Sequence, residues 1–166
     1  MSLRDLLQKP AVGGGTAVAL IVGAVVYTVF FSGPDYTGPK VETAYHYFDL
    51  KSNQLIEGPM DKFAPITAPS GGEGVRAYVY SCGDCADPAS RFIAYFFKNS
   101  PAAKKLLEDS ADMTGGENYK AWYDGQLVRK PDGEEWVNIH SPEGVAIAGA
   151  AKARCGDKAV ECRIER

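Results

Sequence analysis

Histidine is nearly missing from this 166-residue chain, which holds only His46 and His140. Two isolated imidazoles lack the paired spacing of a metalloprotease helix, and neither has a recognisable nucleophile partner. Ser141 beside His140 is no triad, because adjacency in sequence does not create the required geometry. A basic excess is also lacking: 18 Lys and Arg stand against 21 Asp and Glu. Without Arg4, Lys9 and Asp5 the balance is 16 basic to 20 acidic, or −4, which argues against a nucleic-acid partner. There is no internal repeat and no low-complexity tail, so the chain is neither a repeat array nor a disordered segment. Nor is there a phosphate-binding glycine loop, since GGGTAV lies inside an apolar run. Glu134 and Glu135 are neighbouring carboxylates, but they follow an Asp132-Gly133 turn and read as a solvated edge.

Charge is absent altogether from Pro10 to Pro34. The stretch AVGGGTAVALIVGAVVYTVFF has the length a helix needs to cross a hydrocarbon core of about 30 Å. A cleaved signal peptide would carry a shorter apolar region, about 7 to 15 residues, followed by small residues. Phe30, Phe31 and Ser32 stand there instead. The expectation is an uncleaved transmembrane helix over 11–32, preceded by a cytoplasmic segment 1–10 and followed by a linker 33–40. A four-cysteine domain, 41–166, then lies outside the cytoplasm. Arg4 and Lys9 ahead of the span set that direction. Gly15, Ala19 and Gly23 recur every four residues, a face on which another helix can pack closely, although the ordinary abundance of glycine in membrane helices explains it as well.

Beyond the linker, 43–50 (TAYHYFDL) and Leu55-Ile56 flank a polar turn and predict a β-hairpin. In 75–81, Val75, Ala77 and Val79 alternate with Arg76, Tyr78 and Tyr80, the pattern of a half-buried strand. RFIAYFFK, 91–98, suits a helix face or a doubly buried strand, and the strand is preferred. Ser100 as N-cap with Pro101 starts a helix. Gly115 and Gly116 read as a break. Lys130-Pro131-Asp132-Gly133 joins a second hairpin with Trp136 on its return strand, and Ser141-Pro142 opens a second helix reaching Ala153. The class is α+β: a small, mainly antiparallel β domain with two short helices. Tyr45, Tyr47, Tyr78, Tyr80, Trp122 and Trp136 read mainly as core, a binding surface being their other use.

Cys82-Gly83-Asp84-Cys85 follows a strand, and Cys155 and Cys162 form a second pair. Three uses remain open. Four thiolates can hold one structural zinc ion, although the six residues within the second pair are looser than usual. In an oxidising compartment the same residues form two disulfides, with three possible connectivities. Or Cys82 and Cys85 are a redox couple, with Cys82 at a helix amino terminus that lowers its pKa, as in a thioredoxin-like site.

In order, AYHYFDLKSNQL, APITAPSGGEGVRAYVYSCGDC, RFIAYFF, SPAAKKLLED and WVNIHSPEG, closed by Cys155 and Cys162, resemble a group of uncharacterised, membrane-anchored proteins of planctomycete bacteria. The resemblance implies a bacterial cell-envelope setting and a pairing of the two cysteine clusters; it implies no activity. The functional expectation is a membrane-held accessory or interaction module, a small subunit of an envelope complex with protein partners at both its span and its domain. The alternative is a membrane-tethered thiol-disulfide oxidoreductase with Cys82 as nucleophile and Cys85 as resolving thiol.

Overall fold

The computed structural model describes residues 42–165 except 110, 113 and 115. The expected span, with Gly15, Ala19 and Gly23, and both segments flanking it lie outside the described residues. Among the described residues no helix is long and apolar enough to cross a membrane.

Strand β1 (Glu42–Asp49) returns as β2 (Gln54–Gly58), the expected hairpin, with Tyr47 opposite Ile56. Its turn is closed by Asp49, whose carboxylate accepts from the Ser70 hydroxyl at 2.8 Å and the Lys51 amide at 3.0 Å. Those bonds, the Ser70 hydroxyl foremost, hold the Asp49 carboxyl down to about 2. A folded-state pKa below the usual carboxylate value means the stabilisation is complete above about pH 4 and fades as pH falls toward 2. Asp49→Asn is accordingly expected to flatten the loss of urea resistance between pH 5 and pH 2. An equally steep loss in the variant would remove Asp49 from that role.

The two-residue β3 (Ile66–Thr67) and the long β4 (Glu73–Cys82) follow. β4 is the centre of the sheet. Its Val75, Ala77, Val79 and Ser81 are buried on one face, while Arg76, Tyr78 and Tyr80 point to the other. β5 (Arg91–Asn99) is the strand preferred for 91–98, and it pairs with β4 from Ser81↔Arg91 to Arg76↔Phe97. The register shifts between Tyr78 and Val79, leaving Ala94 as the extra residue of a bulge. β6 (Gln126–Arg129) and β7 (Val137–Asn138) complete the main path β2-β1-β4-β5-β6-β7, antiparallel throughout. β7 is shorter than the expected return strand, and Trp136 lies just ahead of it.

Two more strands, β8 (Ala159–Glu161) and β9 (Ile164–Glu165), fill the place where β1 and β4 part company. β1 stays on β4 only over Tyr47–Asp49, so β8 pairs with Tyr80–Cys82 of β4 and β9 with Glu42 and Ala44 of β1. The 159–165 segment is thus a wedge inside the sheet.

Among the described residues four short α-helices are present where two were expected. α1 (Pro101–Glu108) is the foreseen helix: the Ser100 hydroxyl caps the Ala103 amide and Pro101 occupies the first turn. α2 (Gly116–Asp124) starts where glycine suggested a break. None of its residues is buried, so its aromatic side, Tyr119, Trp122 and Tyr123, does not mark a core-facing stripe. The foreseen second helix is split at Gly149 into α3 (Pro142–Ala148) and α4 (Ala150–Cys155), Gly149 ending one and capping the other. A glycine in a helix interior costs about 1 kcal/mol, which favours a break at this position.

The sheet has a core on each face. On one, Val75, Ala77, Val79, Phe96 and Cys162 are buried, with Phe48, Ile93 and Trp136 packed around them. On the other, Ala94, Tyr95 and Val128 meet Ile147 of α3 and Ala151 of α4. Gly144 lets α3 lie directly on the strand backbone, because a Cβ there would run into the Asn138 carbonyl.

Candidate functional site

The cysteines meet at one end of the sheet. Cys82 is the last residue of β4, and Gly83, at φ +142°, turns the chain away from it. The loop is stitched from within. The buried Ser81 hydroxyl donates to the Asp84 carbonyl, Asp84 accepts from the Ala86 amide, and Arg91 Nε donates to the Cys85 carbonyl at 2.7 Å. Asp87 then caps a single 3-10 turn, Pro88–Ser90. No α-helix begins at the CGDC motif, so the dipole expected to lower the Cys82 pKa is missing.

The sulfurs pair across the clusters. Cys82 bonds Cys155 and Cys85 bonds Cys162, with Cα atoms 5.1 and 5.4 Å apart, ordinary disulfide separations. Every cysteine is engaged, and among the described residues no three metal-ligating side chains converge. The expectation of a four-cysteine zinc site gives way to disulfides: the loop brings each sulfur against one partner rather than all four around a point. Cys82 and Cys85 are likewise not bonded to each other.

The two bonds differ in surroundings. Cys162 is 3% exposed within the Val75, Val79 and Phe96 cluster, and Cys85 packs against it. Cys82 is exposed and Cys155 half-buried. His46 lies near the inner pair; burial, with Arg91 nearby, holds it below the usual imidazole range against a backbone hydrogen bond with Cys162.

The remaining expected residues do not converge on chemistry. His140 stacks on Tyr123 at 3.8 Å, and Tyr119 joins Tyr123 and Trp122 in an aromatic cluster along α2. The Ser141 hydroxyl caps α3 and donates to the Asn138 carbonyl. Glu134 and Glu135 are exposed, as the turn suggested. Trp136 receives Lys98 and Arg129, at 4.5 and 5.0 Å from its ring centre. The largest depression described, about 600 Å³, lies between the 130–132 turn and α3–α4. Alanine floors it and its rim mixes Lys130, Arg154, Asp132 and Glu143, without a nucleophile.

One arrangement escaped the sequence. Arg76 lies over the Tyr45 ring at 3.6 Å and near Tyr78 at 4.9 Å, so rings flank a half-buried guanidinium. Beside it is a cavity of about 150 Å³. The signal was weak because Arg76 appears in sequence only as the polar member of an alternating strand; it meets Tyr45 through the pairing of Tyr47 with Arg76. No protein-family model, curated protein or solved structure matches this chain.

Proposed function

We propose that the chain is an accessory or interaction module of a bacterial cell envelope, held by a membrane helix over 11–32 and displayed outside the cytoplasm. The observation that carries this reading is the pair of long-range disulfides, Cys82–Cys155 and Cys85–Cys162. Such bonds persist in oxidising compartments, which fits a domain on the far side of the membrane. They tie the middle of the domain to the 155–162 segment, a structural use of all four thiols. Asp49 closes a turn and His140 stacks on Tyr123. The test is purification from native membranes under mild detergent. A defined stoichiometric partner is expected; a chain that migrates only as a monomer would overturn the proposal.

A second reading, a membrane-tethered thiol-disulfide oxidoreductase, is favoured by the exposure of Cys82, with its bonded partner Cys155 in the resolving role expected of Cys85. A dithiol reductant can reach the outer disulfide, become oxidised to its own disulfide, and leave Cys82 and Cys155 as thiols. Under graded dithiothreitol, Cys82 and Cys155 are expected to be alkylated before Cys85 and Cys162. If the outer bond exchanges no faster than the inner one, or Cys82→Ser leaves thiol exchange unchanged, this reading fails.

A further inference from the structure

Arg76 carries a full positive charge into the cavity between β1, β4, β5 and the 59–64 loop. Lys62 lines the same cavity, and among the described residues no carboxylate does. Among the described residues neither Arg76 nor Lys62 forms an ion pair. A half-buried guanidinium ordinarily has an acidic partner, because removing it from water is costly unless its donors are met. Here the Tyr45 and Tyr78 ring centres lie 3.6 and 4.9 Å from the guanidinium carbon, and neither ring supplies a carboxylate.

The wall opposite is fixed before anything binds. The Tyr47 hydroxyl sits 3.2 and 3.1 Å from the Pro59 and Lys62 carbonyls, and burial keeps it protonated well past neutral pH. Asn99 donates twice to the Ala64 carbonyl, from its backbone and its side-chain amide. Both ends of the loop are clamped, which lowers the ordering cost of binding. The volume, about 150 Å³, is below the ~300–1,000 Å³ of pockets that take a whole small ligand, and leaves room for one small group. Met60 and Phe63 stand exposed at its rim, 39% and 40%, where an apolar carrier of that group would rest. Asp61 and Glu108 line the neighbouring depression, and Glu108 is paired with Lys104.

We infer that this cavity is a carboxylate site, in which Arg76 and Lys62 hold the free carboxyl end of a protein partner whose last residues are apolar. The inference rests on the interaction-module reading and names the chemistry of its partner. A carboxylate is planar and meets a guanidinium edge through two parallel hydrogen bonds, and Lys62 adds a second positive charge to the same cavity. A phosphate shares the charge but offers a tetrahedral face, and only two cationic side chains are here to meet it.

The test uses the full chain in detergent micelles, at constant ionic strength. The probes are a short peptide ending in a free leucine carboxylate, its amidated twin, and inorganic phosphate. Calorimetry and the Arg76 side-chain nitrogen resonance report binding. The free-acid peptide is expected to bind saturably, and its amidated twin at least about tenfold more weakly. Arg76→Gln should weaken the acid peptide by about tenfold or more and Lys62→Gln, at an exposed position, by about two- to fivefold. Equal binding of the two peptides, phosphate binding without peptide binding, or unchanged affinity in both folded variants would each overturn the carboxylate site. Because this assay needs no native partner, its failure leaves the co-purification result standing, and a missing partner leaves the pocket standing.

Discussion

Replacing all four cysteines by alanine is expected to lower the stability of the domain by about 7 kcal/mol, whereas removing either disulfide alone should cost only about 3 kcal/mol. The bonds close sequence separations of 73 and 77 residues, and in loop-entropy terms either one, formed first, contributes about 4.4 kcal/mol. Once one exists, however, the other closes a ring of only about ten residues, because Cys82 and Cys85 are close in sequence, as are Cys155 and Cys162. That second closure contributes about 2.7 kcal/mol. The two bonds are therefore coupled, and each single deletion leaves most of the constraint in place. Losing both removes much of the 5–15 kcal/mol that domains typically possess. Urea unfolding without reductant, followed by the fluorescence of Trp122 and Trp136, provides the measurement. Deletion of the inner pair should be the more damaging, since Cys162 sits among buried apolar side chains while Cys82 is exposed. Single deletions that each cost half of the quadruple loss or more would contradict the coupling.

Phe96→Ala should destabilise by about 3–5 kcal/mol, the range for deleting a buried aromatic ring. Phe96 is 1% exposed, in the cluster with Val75, Ala77, Val79 and Cys162. Its ring lies 4.7 Å from that of Phe48 and 5.2 Å beneath the Arg129 guanidinium, so its removal opens a void and also takes the support from Arg129. Val145→Ala, on the outer side of α3 at 61% exposure, is the control and should move the urea midpoint hardly at all, within about 0.5 kcal/mol. A Phe96→Ala variant as stable as that control would mean that this cluster repacks freely.

What could be read from the sequence was local. Ser100-Pro101 and Ser141-Pro142 announce helix starts because an N-cap hydroxyl and a fixed proline φ act within one turn. The Lys130–Gly133 turn and the alternation in 75–81 are equally self-contained. What was missed depends on partners far away in the chain. β8 and β9 are too short to alternate, and they exist only because β1 and β4 diverge. α2 is held by stacked rings on its surface rather than by a buried stripe. The cysteine spacing allowed metal, disulfide or redox chemistry, and only the placement of Cys155 and Cys162 beside the end of β4 selects one pairing. The Arg76 cavity needs three strands and a loop to exist at all.

The wedge formed by residues 159–165 bears on how the chain is made. Polypeptides emerge amino-terminal part first, so β1 and β4 are complete long before the segment that fills the space between them. Until it arrives, Cys82 and Cys85 have only each other within the emerged chain. Oxidation at that stage can join only those two, a bond that must be exchanged before Cys155 and Cys162 take up their native partners. A bond formed early between Cys82 and Cys85 therefore delays the native pairing until a thiol exchanges it.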